Sequence, residues 1–137
     1  MKVIWIWTQT GFAALGGFLG WYLGGASDFL YALVGFVAAD YITGVLCAFV
    51  EHRLSSAVGA RGIAKKVSIF VLVGIGHLID AYVLRDGEVL RTALIFFYIA
   101  NEGISLIENA AALGLPVPAI LRNALEKIKD KSEEDEK

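Results

Sequence analysis

The chain has 137 residues, room for one domain, and a formal net charge of −2. Hydrophobic residues make up 57% of it and charged residues 19%, against roughly 45–50% and about 25% in soluble domains. With a mean hydropathy of +0.64, these values exclude an ordinary soluble fold. The slight acidity argues against nucleic acid as a partner. Cys47 is the only cysteine, so there is no internal disulfide framework and no cysteine–histidine zinc cluster.

A bilayer core about 30 Å thick needs roughly 20 apolar residues of helix, because hydrocarbon offers nothing to satisfy bare backbone groups. Four segments meet that need: residues 3–25, 29–50, 67–84 and 92–113. The expected fold is therefore all-α, a polytopic membrane domain over residues 1–118 with a short cytoplasmic amphipathic helix and acidic tail over 119–137. The first segment lacks a small-residue cleavage pattern followed by a polar chain, so it reads as a retained span. A three-span arrangement, with that segment lying in the interface, is the rival.

The breaks between segments follow ordinary turn chemistry. Gly24-Gly25-Ala26-Ser27-Asp28 makes a tight turn, and Ser27 or Asp28 is placed to cap the next helix. Arg85-Asp86-Gly87-Glu88 turns the chain again, and Pro116 and Pro118 end the fourth span. Residues 51–66, EHRLSSAVGARGIAKK, are basic and partly apolar. They read either as a segment along the inner headgroups, contacting lipid through Arg53, Arg61, Lys65 and Lys66, or as a plain cytoplasmic loop. Beyond the fourth span, Ile120, Leu121, Ala124, Leu125 and Ile128 share one helical face.

With four spans, both termini and the 51–66 stretch share one side. That side holds Lys2, Arg53, Arg61, Lys65, Lys66, Arg122, Lys127, Lys129, Lys131 and Lys137, and the other holds Arg85 and Arg91. The positive-inside rule then expects both termini in the cytoplasm.

Ionisable side chains inside a span cost about 2.5–3.5 kcal/mol each on insertion scales, so they need partners or a wet surface. Here they are grouped. Tyr98, Asn101, Glu102, Ser105, Glu108 and Asn109 fall within a sector of about 120° on span four at 100° per residue. Asp40, Thr43, Gly44, Cys47 and Glu51 do the same on span two, and span three adds His77 and Asp80. Counting from the outer ends at about 1.5 Å per residue puts Asp40, Glu102 and His77 in one layer, which suggests a hydrogen-bonded cluster. For the span-four stripe, packing glue between helices and a water-lined surface remain open alternatives. Asp40 alone reads as packing, and His77 has only carboxylates for company, a poor set for a metal.

Span one carries Gly16, Gly20 and Gly24 at four-residue spacing, with Trp5, Trp7, Trp21 and Tyr22 near the two interfaces. Small residues so spaced let two backbones approach closely. The face suits self-association, or packing against span two. There is no nucleophile–base–orienter set, no phosphate loop and no HExxH, so nothing in the pattern suggests an enzyme or a cofactor.

The fourth span and its exit, IANEGISLIENAAALGLPVP at residues 99–118, resemble the toxin-secretion/phage-lysis type of the bacteriophage holin family. The matching positions are Asn101, Glu102, Ser105, Glu108, Asn109, Gly114, Pro116 and Pro118. The likeness extends upstream through Asp40-Tyr41-Ile42-Thr43-Gly44, Ser55, the GARGIAKK run at 59–66 and HLID at 77–80. It thus covers about residues 38–128. The resemblance implies a protein that collects in the bacterial inner membrane, forms homo-oligomers, and at a set time opens lesions that release an endolysin. Relatives export protein toxins, so endolysin or toxin would be cargo and not a stable partner. Some holins begin at two nearby methionines and make a longer inhibitor; Met1 is the only methionine here, so the likeness does not extend to that device.

Two other functions fit the residues alone. One is a small oligomeric ion channel or proton-linked transporter using Asp40, His77 and Glu102 as a relay. The other is a membrane scaffold subunit whose polar stripes hold another membrane protein.

Overall fold

A computed structural model describes residues 1–135, with side chains as far as Lys131. Every regular element among the described residues is helical: α1 (Lys2–Leu23), α2 (Asp28–Val50), α3 (Ser56–Leu78), which continues as a π-helical end (Ile79–Leu84), α4 (Val89–Ala112) and α5 (Ala119–Asp135). The first four, counting the π-helical end with α3, are long and apolar enough to cross a bilayer. At about 1.5 Å per residue the shortest of them, 22 residues, reaches about 33 Å. The expected acidic tail falls on residues 132–137, whose side chains lie outside the described residues.

Local chemistry sets the helix ends. Gly24 ends α1 in the left-handed region at φ 87°, a conformation that glycine adopts without a Cβ clash. The Gly25 N–H donates back to the Gly20 carbonyl at 2.7 Å, closing the α1 C-terminus in a Schellman-type turn. Ser27 caps α2 by accepting from the Leu30 N–H at 3.2 Å. Ser55 caps α3 by accepting from the Val58 N–H at 3.1 Å.

That second cap changes one expectation. The helix that carries the third span does not begin at residue 67, and only residues 51–55 of the basic stretch lie outside a helix. From Ser56 onward it is already α3, because the Ser55 cap starts a helix that no proline interrupts before Leu78.

The core lies between α2, α3 and α4. Leu30, Leu33 and Val37 meet Ile69, Val73, Ile95 and Ile99, and Leu33 and Val73 are wholly buried. Helix α1 stands outside this core. It packs on α3, not on α2, through its C-terminal end: the Tyr22 ring lies over Gly74, and its hydroxyl donates to the Val71 carbonyl at 2.8 Å. Residues 1–19 are exposed throughout.

After α4 the chain doubles back. Gly114 takes φ 87°, Pro116 and Pro118 prevent helix continuation, and α5 returns beside α4. Leu125 is 5% exposed, seated where Gly103 has no side chain and next to Phe36. Farther along, Ile128 and Lys131 border a groove of about 1040 Å³ with Val89, Thr92 and Phe97. Gly103 thus provides a seat that holds α5 against α4 through Leu125, while Ile120 and Leu121, on the same helical face, stay exposed. Around the rest of α5, Arg122, Glu126, Lys127, Asp130 and Lys131 are exposed. Against acyl chains each would cost about 2.5–3.5 kcal/mol.

Candidate functional site

Three helices place three charges at one level. Asp40 lies ten residues before the end of α2 (40 to 50), Lys66 ten after the start of α3 (56 to 66), and Glu102 ten before the end of α4 (102 to 112). Each is therefore about 15 Å from the same end of the bundle. The Lys66 ammonium pairs with both carboxylates. Asp40 and Glu102 are each 5% exposed.

A second layer completes the cluster. The Asn109 side-chain amide, about two turns beyond Glu102 on α4, donates to Asp40 Oδ1 at 2.9 Å and to Thr43 Oγ1 at 3.0 Å. Thr43 in turn donates to the Ala39 carbonyl at 2.9 Å, and the Cys47 thiol donates to the Asn109 carbonyl at 3.3 Å. Among the described residues no buried side-chain nitrogen or oxygen lacks a partner. An open cleft of about 260 Å³ reaches the ion cluster between α3 and α4, bordered by Ser68, Tyr98, Asn101 and Ser105.

Chemically this is a bundle lock. Two carboxylates share one ammonium in a setting of low dielectric, where an unpaired charge is strongly unfavourable. The lock holds α2, α3 and α4 in one register. Among the described residues no group of three metal-ligating side chains is brought together.

The other sequence-derived candidates fall elsewhere. His77 does not join Asp40 and Glu102. It packs at the far end of α3 against Gly24 and Arg91, about 16 Å along the helix from Lys66, so the relay of Asp40, His77 and Glu102 is not assembled. The place on α3 level with Asp40 and Glu102 is taken by Lys66, eleven residues before His77, so depth counted from the outer ends sets His77 too near the two acids. Asp80 lines no pore: 1% exposed, it accepts from the N–H groups of Leu90 at 3.0 Å and Arg91 at 2.8 Å. It thus caps α4 from the preceding helix, satisfying two of the donors every helix start leaves free. The Arg91 guanidinium donates to the Leu23 and Gly25 carbonyls and so ties the end of α1 to the start of α4.

Gly24 belongs to that junction rather than to a helix face, since His77 and Arg91 fill the space a Cβ there would need. Gly16 and Gly20 have nothing within 4 Å of their Cβ positions. Lys66, grouped by sequence with the headgroup contacts, is instead the centre of the ion cluster, because α3 starts at Ser56 and carries it inward. Arg61 and Lys65 are exposed on α3, and Arg53 is exposed beside Glu51, whose hydrogen bond raises the arginine pKa further above its usual value. On span four, Glu102 and Asn109 are used inside the bundle, Asn101 and Ser105 border the cleft, and Glu108 is exposed. The sequence reading missed Lys66 and Arg91 as structural charges. The signal was present for Lys66: measured from the Ser55 cap, it is level with Asp40 and Glu102.

Comparison with known proteins adds the family context. Residues 17–130 match the model of the bacteriophage holin family, taking in α2, α3 and α4 whole. The chain is 44% identical over 137 residues to an uncharacterized protein of Listeria monocytogenes, covering 99% of this chain and 94% of the relative. It is 38% identical over 121 residues to an uncharacterized 14.9 kDa protein of Clostridium perfringens, covering 88% and 92%. It is 35% identical over 116 residues to a probable holin of Bacillus phage phi105, covering 85% and 84%. No solved structure matches it.

Proposed function

The chain belongs to the bacteriophage holin family, and from that premise we propose that it assembles with copies of itself in the bacterial inner membrane and opens lesions there at a set time. The observation that carries this reading is the family match across residues 17–130 in a chain with four helices able to span a bilayer. A folded cargo, an endolysin or a protein toxin, would pass through the lesion without being a stable partner; membrane lipid and further copies of the chain are the partners.

The N-terminus, the α2–α3 turn and the exit from α4 face the cytoplasm in this proposal. Lys2, Arg53, Arg61 and Lys65 are exposed on that side, against Arg85 at the other, a bias that holds with Lys66 and Arg91 taken into the bundle. The physical route has two steps. Subunits first associate laterally, with the Gly16 and Gly20 face of α1 open for close helix contact. Above a threshold density the assemblies then part and admit water, while apolar faces stay toward lipid.

Controlled expression in a bacterial host, with and without a co-expressed endolysin, tests the reading. The expected result is abrupt lysis at a reproducible time only when both proteins are present. Loss of membrane potential with the endolysin retained inside would overturn it in favour of a channel that passes ions alone.

A further inference from the structure

We propose that the outer face of α5, and not the polar stripe of α4, lines the water-filled lumen of the assembly, an assignment that rests on the lesion reading above. The first support is position. Leu125 sits on Gly103, the neighbour of Glu102, with Phe36 of α2 beside it, so α5 lies at the level of the ion cluster midway along α4. Lys131 shares a groove with Val89 and Thr92 near the opposite end of that helix. Over its described length α5 therefore runs alongside a spanning helix.

The second support is charge. Arg122, Glu126, Lys127 and Asp130, turned about 60° or more around α5 from the buried Leu125 at 100° per residue, are exposed. Acyl chains are a poor solvent for such a face, and a helix at this depth tolerates it only against water or protein. The third is elimination within the subunit. Glu102 and Asn109 are engaged with Lys66, Asp40 and Thr43, so the α4 stripe offers no continuous polar wall. The α5 face does, with both signs interspersed, which suits passage of cargo of either charge.

The test uses the full chain in vesicles of phosphatidylethanolamine and phosphatidylglycerol loaded with a self-quenched dye, so that leakage and structure are read on one sample. Nitroxide labels are placed one at a time through cysteines at positions 122, 126, 127 and 130, all exposed, with Leu125→Cys as the inward control. A label pair at positions 89 and 130 reports whether α5 stays beside α4. Folded back, the pair should lie within about 20 Å, given packed helices 8–10 Å apart. An α5 extending away from the bundle would separate them by roughly 50 Å at 1.5 Å per residue.

The proposal expects the short distance, dye release, and outer-face labels reached at least fivefold more readily by a water-soluble nickel chelate than is the label at 125. Three results overturn it while leaving leakage and the lesion reading intact: a long distance, which removes α5 from the bundle; preferential access to dissolved oxygen, which puts the face in lipid; or protection from both reagents, which buries it against another copy. Absence of dye release overturns the lesion reading and this assignment with it.

Discussion

Lys66 on α3 and Glu102 on α4 form an ion pair with side chains only 15% and 6% exposed, and Asp40 on α2 takes the same ammonium. One cation thus ties three helices together, and its removal leaves two carboxylates facing each other. Breaking a buried pair from one side typically costs about 3–5 kcal/mol, whereas replacing all partners by neutral groups of similar shape is far milder. Lys66→Met should therefore destabilise the bundle by about 3–5 kcal/mol, and the triple variant D40N/K66M/E102Q should recover most of that loss. Denaturant unfolding in detergent micelles checks both. A triple variant as unstable as the single one would show that the acids matter for reasons other than their shared cation.

Asp80 makes a narrower prediction. Its carboxylate satisfies the N–H groups of Leu90 and Arg91, and truncating a helix cap costs about 0.5–2 kcal/mol. Asp80→Ala should fall at the upper end of that range, because the carboxylate is buried and the freed donors stay so. Amide hydrogen exchange at Leu90 and Arg91 should accelerate while exchange in the middle of α4 is unchanged. Uniform acceleration along α4 would mean that Asp80 supports the whole bundle and not one helix start.

The seat of α1 on α3 is tight at one point. A Cβ at Gly74 would fall 1.9 Å from the Tyr22 ring, so Gly74→Ala should push the end of α1 away at a cost of about 1–3 kcal/mol, as overpacking does. Tyr22→Ala should relieve most of the clash, making the double variant less unstable than the two single effects combined. Additive effects in a double-mutant cycle would contradict this contact.

Gly20 separates assembly from folding. Nothing lies within 4 Å of the position its Cβ would take, so Gly20→Leu should leave subunit stability within about 0.5 kcal/mol, the usual range for an open surface site. If α1 carries the self-association face, the variant should form smaller oligomers by native mass spectrometry and permeabilise cells later. Unchanged oligomer size and timing would remove that role from α1.

Much of the architecture is legible in one dimension, and the reason is the solvent. Hydrocarbon requires long unbroken apolar helices with capped, turn-rich breaks between them, so the four helices and the Ser27 cap follow from residue order. The same requirement makes Asp40, Glu102 and Asn109 conspicuous, since a polar side chain in such a helix needs a partner. Which partner is a different matter. Lys66 sits in a basic run that reads like any membrane-facing loop, and only the Ser55 cap, by starting α3 early, carries it to the level of the acids. His77 and Asp80 look equally intramembrane on paper, yet the packing of α1 and α4 makes one a spacer beside Gly24 and the other a helix cap.

Residue order alone therefore established that this chain crosses a bilayer, roughly where each crossing runs, and which side chains had to be sheltered from lipid. Folding in three dimensions settled who shelters whom: Lys66 between Asp40 and Glu102, Arg91 on the end of α1, and Leu125 over Gly103. Burial along a helix is periodic and can be read from spacing, whereas pairing between helices depends on where each one starts and how it is turned. A single cap at Ser55 starts α3 eleven residues earlier than its apolar run, and a missing side chain at Gly103 opens a seat for another helix.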